Sequence, residues 1–292
     1  MPALQVPPGL EGIASMHELP DTEWLARWER IIVPAGVKDR LLNYVLFSLR
    51  HRGRVGQVGL PIHGLVVISG PPGTGKTTLA GGLADRAARE LDAGPLLFVE
   101  VDPHTFPSQL LGESQRGVAR LFERTLPDLA RRGRPTIVML DEVESLAVSR
   151  AGASLDTNPV DVHRATDAVL AGIDHVGRTC PNITFVATTN HADGVDSAFL
   201  SRADVIEEIG LPGVDAVQLI LRDTLREVVP TDRLDEAALA DLAADCVAAA
   251  IDARRVRKLV LRALASRREL ALAPQGLRLE DIAAALRDGT GR

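Results

Sequence analysis

The stretch that decides the fold reads Gly70-Pro71-Pro72-Gly73-Thr74-Gly75-Lys76-Thr77. It fits the pattern G-x-x-x-x-G-K-[ST] and lies between a run typical of a buried strand and a run typical of a helix, which is the context this motif requires. The glycines let the loop point successive N–H groups at phosphates, and the positive end of the following helix adds to the attraction. We expect Lys76 to reach the β- and γ-phosphates and Thr77 to offer its hydroxyl to Mg²⁺. The motif therefore predicts ATP or GTP binding, the alternative being a glycine-rich turn that holds no ligand.

Short apolar runs rich in β-branched residues flank this loop and alternate with longer helical patterns. Four of them are apolar almost throughout, as strands buried on both faces should be: residues 64–69, 96–101, 136–140 and 183–188. Residues 204–209 form a weaker fifth candidate. The alternation predicts an α/β fold with a parallel sheet between two layers of helices. After Leu211-Pro212-Gly213 only helical spacing remains, which predicts a separate all-helical domain.

An acidic pair, Asp141-Glu142, follows the third of these runs. Ligands gather at the carboxyl ends of the strands in open α/β sheets. We expect Asp141 to hold the Mg²⁺ shell and Glu142 to polarise the attacking water; taken without the loop, the pair is equally typical of a helix N-terminus. Asn190 follows the fourth run, where its amide can contact the γ-phosphate or the water, and a turn or cap role is its alternative.

Composition limits the remaining chemistry. The 292 residues include 33 Lys and Arg against 39 Asp and Glu, a net charge of −6, and this acidity together with the few aromatic residues argues against direct binding of nucleic acid. Cys180 and Cys246 stand far apart and the histidines never pair at ligand spacing, so we expect no metal beyond nucleotide-bound Mg²⁺. We find no signal peptide and no membrane span, which predicts a cytoplasmic protein without a membrane partner.

Taken together, these motifs resemble the AAA+ ATPases. The segment from Phe199 to Asp204 occupies the position at which that family carries its arginine finger. The resemblance therefore implies that Arg202 reaches into the nucleotide site of an adjacent subunit, stabilises charge on the transferred phosphoryl group, and makes the protein an obligate oligomer. The alternative for Arg202 is a surface ion pair with Asp204 or Glu207.

A basic stretch from Asp252 to Leu259 resembles the second sensor of the AAA+ helical lid. Cations at the start of a helix lie at the electrostatically unfavourable end unless they meet an anion. The resemblance aligns Arg254 with the arginine that contacts the nucleotide phosphates, Arg255 competes by one residue, and a solvated basic face is the alternative. The same resemblance divides the chain into an N-terminal tail (1–22), a large three-layer α/β/α ATPase domain (23–212) and a small helical lid (213–292).

Details outside the shared motifs resemble the pachytene-checkpoint, or thyroid-receptor-interacting, ATPases, which act on HORMA-domain proteins. These details are the segments 28–33 (WERIIV), 140–146 (LDEVESL), 167–174 and 202–204 (RAD), and the similarity runs from about residue 24 to about residue 265. The resemblance implies ATP and Mg²⁺ as cofactors. It assigns nucleotide contacts to Gly70, Pro71, Pro72, Gly73, Thr74, Gly75, Lys76, Thr77, Thr78, Asp141, Arg254, Ile31 and Ile32.

Eukaryotic members carry a separate substrate-recognition domain before the ATPase, and here about 20 residues precede the matching segment. Either the partner docks directly on the ATPase ring, or another chain recognises it. Bacterial members resemble this short form. The resemblance to them implies a homo-hexamer that switches a HORMA-domain protein from its closed to its open state. It also implies a role together with a cGAS/DncV-like nucleotidyltransferase in anti-phage defence. The alternatives are an unfoldase or chaperone for another protein, a DNA-acting clamp-loader-like switch, and a nucleotide-gated scaffold.

Remodelling ATPases of this family grip their substrate with loops that line a central pore. The matching segment is 106–114, in which Leu110 and Leu111 fall where the family places an aromatic and a hydrophobic residue. Apolar side chains on a loop can hold an extended chain without reading its sequence, although a leucine pair at the start of a helix is also typical of a core. A second candidate loop covers 149–161, and His163 and Arg164 begin the helix after it.

Overall fold

The computed structural model describes residues 4, 6–7, 10–55, 62–91, 94–102, 113–130, 133–149, 159–229 and 234–290, with side chains described for all of these except 113–114, 159–163 and 290. The chain forms two compact units. The first contains Met1–Gly70 and Lys76–Glu208, and the second contains Pro71–Gly75 and Ile209–Arg292. The division falls four residues before the boundary expected from the sequence, and it assigns the middle of the glycine-rich loop to the second unit.

The first unit is built on a six-stranded sheet in the order β1-β3-β4-β5-β2-β6. Its strands are β1 Ile13–Leu19, β2 Leu65–Ser69, β3 Leu96–Val101, β4 Thr136–Leu140, β5 Ile183–Thr189 and β6 Val205–Glu208. Strands β2 to β6 pair in parallel with one another, and every residue of β2, β4 and β5 is buried. The predicted α/β fold and its four apolar strands are thereby confirmed. The carboxyl ends of β4, β5 and β2, which are neighbours in the sheet, meet at one edge of the sheet.

Seven helices of the first unit are described. They are α1 Thr22–Arg30, α2 Val37–Val55, α3 Lys76–Glu90, α4 Glu113–Arg120, α5 Leu126–Ala130, α6 Pro159–Thr179 and α7 Ser197–Leu200. A π-helical turn, Leu121–Thr125, joins α4 to α5, and Phe122 in this turn is buried against Phe185 of β5. Short 3₁₀ turns, Val143–Ser145 and Ala192–Gly194, follow β4 and β5. These two turns carry the chain away from the sheet edge at which the candidate site lies.

The N-terminal segment is where the fold departs from the sequence-based expectation. Residues 1–22 were expected to be a tail, but Ile13–Leu19 form strand β1, which pairs antiparallel with β3, and α1 begins at Thr22. The sheet is therefore mixed rather than wholly parallel. Only Met16 and Leu19 of this strand are buried, so an edge strand of alternating polarity lacks the continuous apolar run that marks the central strands.

Helix α1 packs directly on α3, the helix that follows the glycine-rich loop. Trp24 and Trp28 are buried, and they lie against Gly81 and Gly82. A methyl group at Gly81 would lie 2.0 Å from Cζ3 of Trp24, and one at Gly82 would lie 2.9 Å from Cβ of Trp28. Gly81 therefore provides the space for the indole ring of Trp24, and Gly82 lets the backbone of Trp28 approach α3 closely.

We expect Gly81→Ala to destabilise the protein by about 1–2 kcal/mol, because overpacking a core outweighs the gain of up to about 1 kcal/mol that alanine brings to a helix interior. Urea denaturation measures the change in the free energy of unfolding. Gly289→Ala is the matched control, because its new methyl group would meet only the flexible end of Arg262, at 2.9 Å. Equal stabilities of the two variants would show that the contact between Trp24 and Gly81 is not tightly packed.

The second unit is helical, as the sequence predicts. Its helices are α8 Val214–Arg226, α9 Glu236–Ala248, α10 Ala253–Ala265, α11 Arg268–Leu272 and α12 Leu279–Thr290. Their buried faces carry leucine, valine and alanine at helical spacing, as Val217, Leu221, Leu239 and Val260 illustrate. Aspartate side chains cap the N-termini of α9 and α10. Neither unit, in its described residues, contains a helix with the length and hydropathy that a membrane crossing requires.

Candidate nucleotide site

The glycine-rich loop, residues 70–77, here called the phosphate loop, connects β2 to α3. The N–H of Gly70 donates to the carbonyl of Thr189 at 3.2 Å, which fixes the start of the loop to β5. The hydroxyl of Thr74 donates to the carbonyl of Pro71 at 3.0 Å. The loop continues into α3, a 15-residue helix that begins at Lys76, and the N-terminal N–H groups and dipole of a helix favour an anion. The predicted order of strand, loop and helix is therefore present.

Lys76 is buried, and its ammonium group donates to the carbonyl of Gly70 at 2.7 Å and to Oδ1 of Asn190 at 2.8 Å. Both acceptors lie just after the carboxyl ends of parallel strands, β2 and β5. The two acceptors are a carbonyl oxygen and an amide oxygen, and a lysine ammonium group is a point charge of the kind that binds phosphate. The position of Lys76 thus fits the phosphate contact expected from the sequence.

Asp141 and Thr77 form the part of the site that fits a metal ion. The hydroxyl of Thr77 lies 3.1 Å from Oδ1 and 3.2 Å from Oδ2 of Asp141. A hydroxyl and a carboxylate are hard oxygen donors of the kind that Mg²⁺ prefers, together with water and phosphate oxygens. Among the described residues no group of three His, Cys, Asp or Glu side chains forms a separate metal site. The two residues predicted to hold Mg²⁺ are therefore adjacent and chemically suitable.

Glu142 has the backbone conformation of a strained residue, with φ 50° and ψ 53° in the left-handed region. Its N–H donates to the hydroxyl of Thr188 at 3.2 Å, and its carbonyl accepts from the hydroxyl and the N–H of Ser145 at 2.8 and 2.9 Å. The carboxylate is exposed and lines a cavity of about 200 Å³ with Asp141 and Asp102. This backbone conformation turns the Glu142 side chain toward solvent, where a water molecule can reach it.

Asn190 joins the lysine to the glutamate. Its Oδ1 accepts from Lys76, and its Nδ2 donates to Oε1 of Glu142 at 3.3 Å. The chain Lys76–Asn190–Glu142 joins the first residue of α3 to residues that lie just beyond β5 and β4. Asn190 is therefore more than the turn or cap residue that the sequence left open.

Two residues that were not predicted from the sequence, Glu144 and Thr188, hold these residues in place. Oε1 of Glu144 accepts the N–H of Asn190 at 3.1 Å, while its Oε2 is buried and has no hydrogen-bond partner within the described part of the chain. The hydroxyl of Thr188 contacts both Asp141 and Glu142. Two features of the sequence could have indicated these residues. Glu144 is the third carboxylate in the segment LDEVESL, and Thr188 is one of two threonines that directly precede Asn190.

Arg202 is 25% exposed in the turn after α7 and forms an ion pair within its own chain, but not the pair considered from the sequence. Its Nε and Nη2 donate to the two carboxylate oxygens of Asp174 on α6 at 2.8 and 2.9 Å. Hydrogen bonding to Arg202 lowers the pKa of the Asp174 carboxyl, and Asp174 in turn raises the pKa of the guanidinium. A two-point contact of this kind fixes the plane of the guanidinium group.

The alternative pairing of Arg202 with Asp204 or Glu207 is wrong, because both carboxylates have other partners. Asp204 accepts from the hydroxyl of Tyr44 at 2.5 Å and from the N–H groups of Gly64 and Leu65 at 2.7 and 3.0 Å. It therefore anchors the start of β2. Glu207 pairs with Arg40 at 2.6 Å.

Within the second unit, the N-terminus of α10 contacts the part of the phosphate loop that belongs to the same unit, Pro71–Gly75. The N–H of Arg254 donates to the carbonyl of Gly73 at 3.3 Å, and Asp252 caps the helix by accepting the N–H of Arg255. Gly73 has φ +81°, and a methyl group there would lie 2.1 Å from Oδ1 of Asp252, so only glycine fits. Arg255, by contrast, lines a small cavity with Leu286 of α12. This arrangement places the backbone of Arg254 beside the loop.

The remaining predicted residues are the other expected nucleotide contacts and the expected pore residues. Ile31 is buried and Ile32 is partly buried in the segment that follows α1, and Thr78 is exposed in the first turn of α3. Arg164 is exposed on α6. The pore-loop residues Leu110 and Leu111 lie outside the described residues, as does the side chain of His163.

The amino-acid sequence is similar to those of known ATPases. The model of the ATPase family associated with various cellular activities (AAA) matches residues 66–211. CD-NTase-associated protein 6 of Pseudomonas aeruginosa is 43% identical over 282 residues, which cover 95% of this chain and 92% of that protein. The pachytene checkpoint protein 2 homolog of Danio rerio is 32% identical over 219 residues, which cover 74% of this chain and 51% of that protein. The chain thus spans about half the length of this pachytene-checkpoint relative.

Two solved structures share the fold. A chain in the structure of the E. coli MS115-1 HORMA:CdnC:Trip13 complex superposes with a TM-score of 0.82 over 97% of both chains, at 20% sequence identity. The structure of C. elegans PCH-2 superposes with a TM-score of 0.76 over 95% of this chain and 76% of that chain, at 24% identity. At these identities the likeness concerns the fold.

Proposed function

The chain belongs to the AAA family of ATPases, and we propose that it is a Mg²⁺-ATP-dependent, ring-forming remodeller of a HORMA-domain protein. The observation that carries this proposal is the hydrogen-bonded chain Lys76–Asn190–Glu142 at the sheet edge, beside the Asp141–Thr77 pair. It brings together a phosphate-binding cation, a polar sensor, a general base and a metal-holding carboxylate, as ATP hydrolysis requires.

Each of these residues has a distinct role in the hydrolysis that we propose. The phosphate loop amides and Lys76 bind the β- and γ-phosphates. Mg²⁺, when held by Thr77 and Asp141, would neutralise charge on the phosphate oxygens. Glu142 accepts a hydrogen bond from the attacking water and takes its proton, while Asn190 orients the Glu142 carboxylate. The products are ADP and phosphate.

The ring is part of the proposal because one catalytic group is assigned to the neighbouring subunit. Arg202 would stabilise the transferred phosphoryl group of the adjacent protomer in a homo-hexamer, and Arg254 would contact the phosphates of its own protomer. The contact between the N–H of Arg254 and the carbonyl of Gly73 supports Arg254 over Arg255. Ile31, Ile32 and Thr78 complete the proposed nucleotide contacts, and Leu110, Leu111, His163 and Arg164 are the proposed pore residues.

The choice of substrate rests on the relatives. A relative at 43% identity is named for its association with a CD-NTase, others are pachytene checkpoint protein 2 homologs, and one structure of the same fold comes from a complex with HORMA and CdnC. We propose that this chain converts a HORMA-domain protein from its closed to its open state and thereby regulates a cGAS/DncV-like nucleotidyltransferase in the cytoplasm, in anti-phage defence, with no direct contact to nucleic acid or membrane.

An ATP-dependent pull-down tests the substrate. Glu142→Gln should bind ATP and retain its substrate because hydrolysis is not completed, so we expect mass spectrometry to identify a HORMA-domain protein that is retained with ATP and released with ADP. Lys76→Ala is the control, because it lacks the phosphate contact and should retain nothing under either condition. Retention of DNA, of protease subunits or of no protein would contradict the HORMA assignment.

A further inference from the structure

Thr188 is a buried residue near the end of β5, and its side chain belongs to neither the phosphate loop nor the acidic pair. It is 1% exposed. Strand β4 pairs with β5 so that Leu140 lies opposite Ala187, and this register brings Thr188 next to the residue that follows Leu140, which is Asp141. The hydroxyl of Thr188 donates to Oδ1 of Asp141 and accepts the N–H of Glu142. One hydroxyl group therefore contacts both members of the acidic pair.

We propose that Thr188 is a positioning residue for ATP hydrolysis, which holds the Asp141 carboxylate and the Glu142 backbone in one arrangement. The proposal rests on the metal-holding and general-base roles proposed for these two residues. Thr188 acts through them and does not itself touch the nucleotide.

The need for such a residue follows from the backbone of Glu142. A glutamate in the left-handed region is strained, and such conformations persist only where the surroundings over-determine them. Ser145 holds the carbonyl of Glu142 from one side, and Thr188 holds its N–H from the other. Without the Thr188 hydroxyl the N–H loses its partner, and the peptide group between Asp141 and Glu142 becomes free to rotate. The Glu142 carboxylate would then leave the position in which it meets the water.

The Asp141 carboxylate is held by the same hydroxyl. Its Oδ1 accepts from both Thr77 and Thr188, and Thr77 is the residue that shares the proposed metal site. The bond from Thr188 fixes the rotation of the carboxylate from the strand side. Outer partners of a metal-holding carboxylate commonly change metal affinity or activity by about 10–100-fold when they are removed.

Neighbouring threonines on the same strand do not share this role. The hydroxyl of Thr189 accepts the N–H of His191 at 3.1 Å. Thr184, at the other end of β5, is fully buried, and its hydroxyl lies 2.9 Å from that of Ser48 on α2. Thr184 therefore offers a matched control on the same strand with the same burial and a single hydroxyl contact away from the site.

The test compares Thr188→Val, Thr188→Ser and Thr184→Val in the full-length protein. Valine keeps the shape of threonine and removes its hydroxyl, so we expect kcat for ATP hydrolysis to fall by about 10–100-fold in Thr188→Val, with KM for ATP changed by less than about threefold. Thr188→Ser keeps the hydroxyl and should retain kcat within about threefold of the wild type. Thr184→Val should leave kcat and KM unchanged.

Hydrogen exchange gives a readout that does not depend on turnover. The amide of Glu142 should exchange faster in Thr188→Val than in the wild type or in Thr184→Val, as measured by mass spectrometry on the peptide that contains residues 141–145. Unchanged exchange, equal kcat in the two valine variants, or no rescue by serine would overturn the proposal. If Thr188→Val does not fold, Thr188→Ala replaces it in both experiments, with the same expected fall in kcat and the same faster exchange of the Glu142 amide. A wild type without ATP turnover would contradict the proposed function, and the exchange experiment would still decide whether Thr188 holds Glu142.

Discussion

Replacing Glu142 with glutamine is expected to lower kcat for ATP hydrolysis by about 10²–10⁴-fold, the range that a positioned general base contributes. Glutamine has the same shape and can keep the contact with Asn190 through its amide oxygen, but it cannot take a proton from water. ATP binding should therefore remain within about threefold of the wild type, because the phosphate loop and Lys76 are untouched. Steady-state phosphate release and titration with a fluorescent ATP analogue measure the two quantities.

The matched control for this variant is Glu123→Gln. Glu123 is exposed in the π-helical turn that precedes α5, and its carboxylate has no described partner in the parts of the chain that the structure covers. It should leave both kcat and ATP affinity unchanged. A Glu142→Gln variant that hydrolyses ATP at more than a tenth of the wild-type rate would show that another group activates the water.

Replacing Arg202 with alanine is expected to lower kcat by about 10³-fold or more, the contribution of an arginine supplied to a neighbouring nucleotide site. A purely structural ion pair with Asp174 would behave differently, since its loss would lower the free energy of unfolding by about 1 kcal/mol or less and leave kcat close to the wild-type value. Arg222→Ala is the control. Arg222 pairs with Glu236 in the helical unit, at similar exposure to Arg202, and its loss should not affect turnover.

Mixing the two inactive proteins separates a contribution in trans from one in cis. Arg202→Ala has an intact site and lacks the arginine, whereas Glu142→Gln has the arginine and lacks the base. Random assembly of equal amounts pairs an intact site with an intact arginine at about a quarter of the interfaces of a cyclic ring. Recovery of activity in the mixture is therefore expected. A mixture as inactive as its components would place the action of Arg202 within its own subunit.

The central part of the fold could be predicted from the sequence because its physical signal is local. Strands buried on both faces give continuous apolar runs, and β2, β4 and β5 are buried throughout. The phosphate loop and the acidic pair follow two of these runs directly, so their meeting at one sheet edge follows from parallel pairing. Asn190 could be placed near them for the same reason.

The parts that sequence could not predict depend on contacts between distant positions. The pairing of Arg202 with Asp174 joins the turn after α7 to helix α6 across 28 positions, whereas the pairs considered from the sequence lay within five residues of Arg202. The hydroxyl of Thr188 reaches Asp141 only because the register of two strands, 47 positions apart in the chain, places them side by side. Strand β1 was missed for another reason, because an edge strand buries only one face and needs no continuous apolar run.

Strand β1 also protects the protein from aggregation through the edge of its sheet. Its antiparallel pairing covers the outer N–H and C=O groups of β3, a fully apolar strand but for Glu100. A chain shortened to begin at residue 23 would present those groups as an open sheet edge, a template on which a second chain can add a strand and start aggregation. The polar residues that make Ile13–Leu19 difficult to recognise as a strand, such as Ser15, His17 and Glu18, place a hydrophilic boundary at that edge.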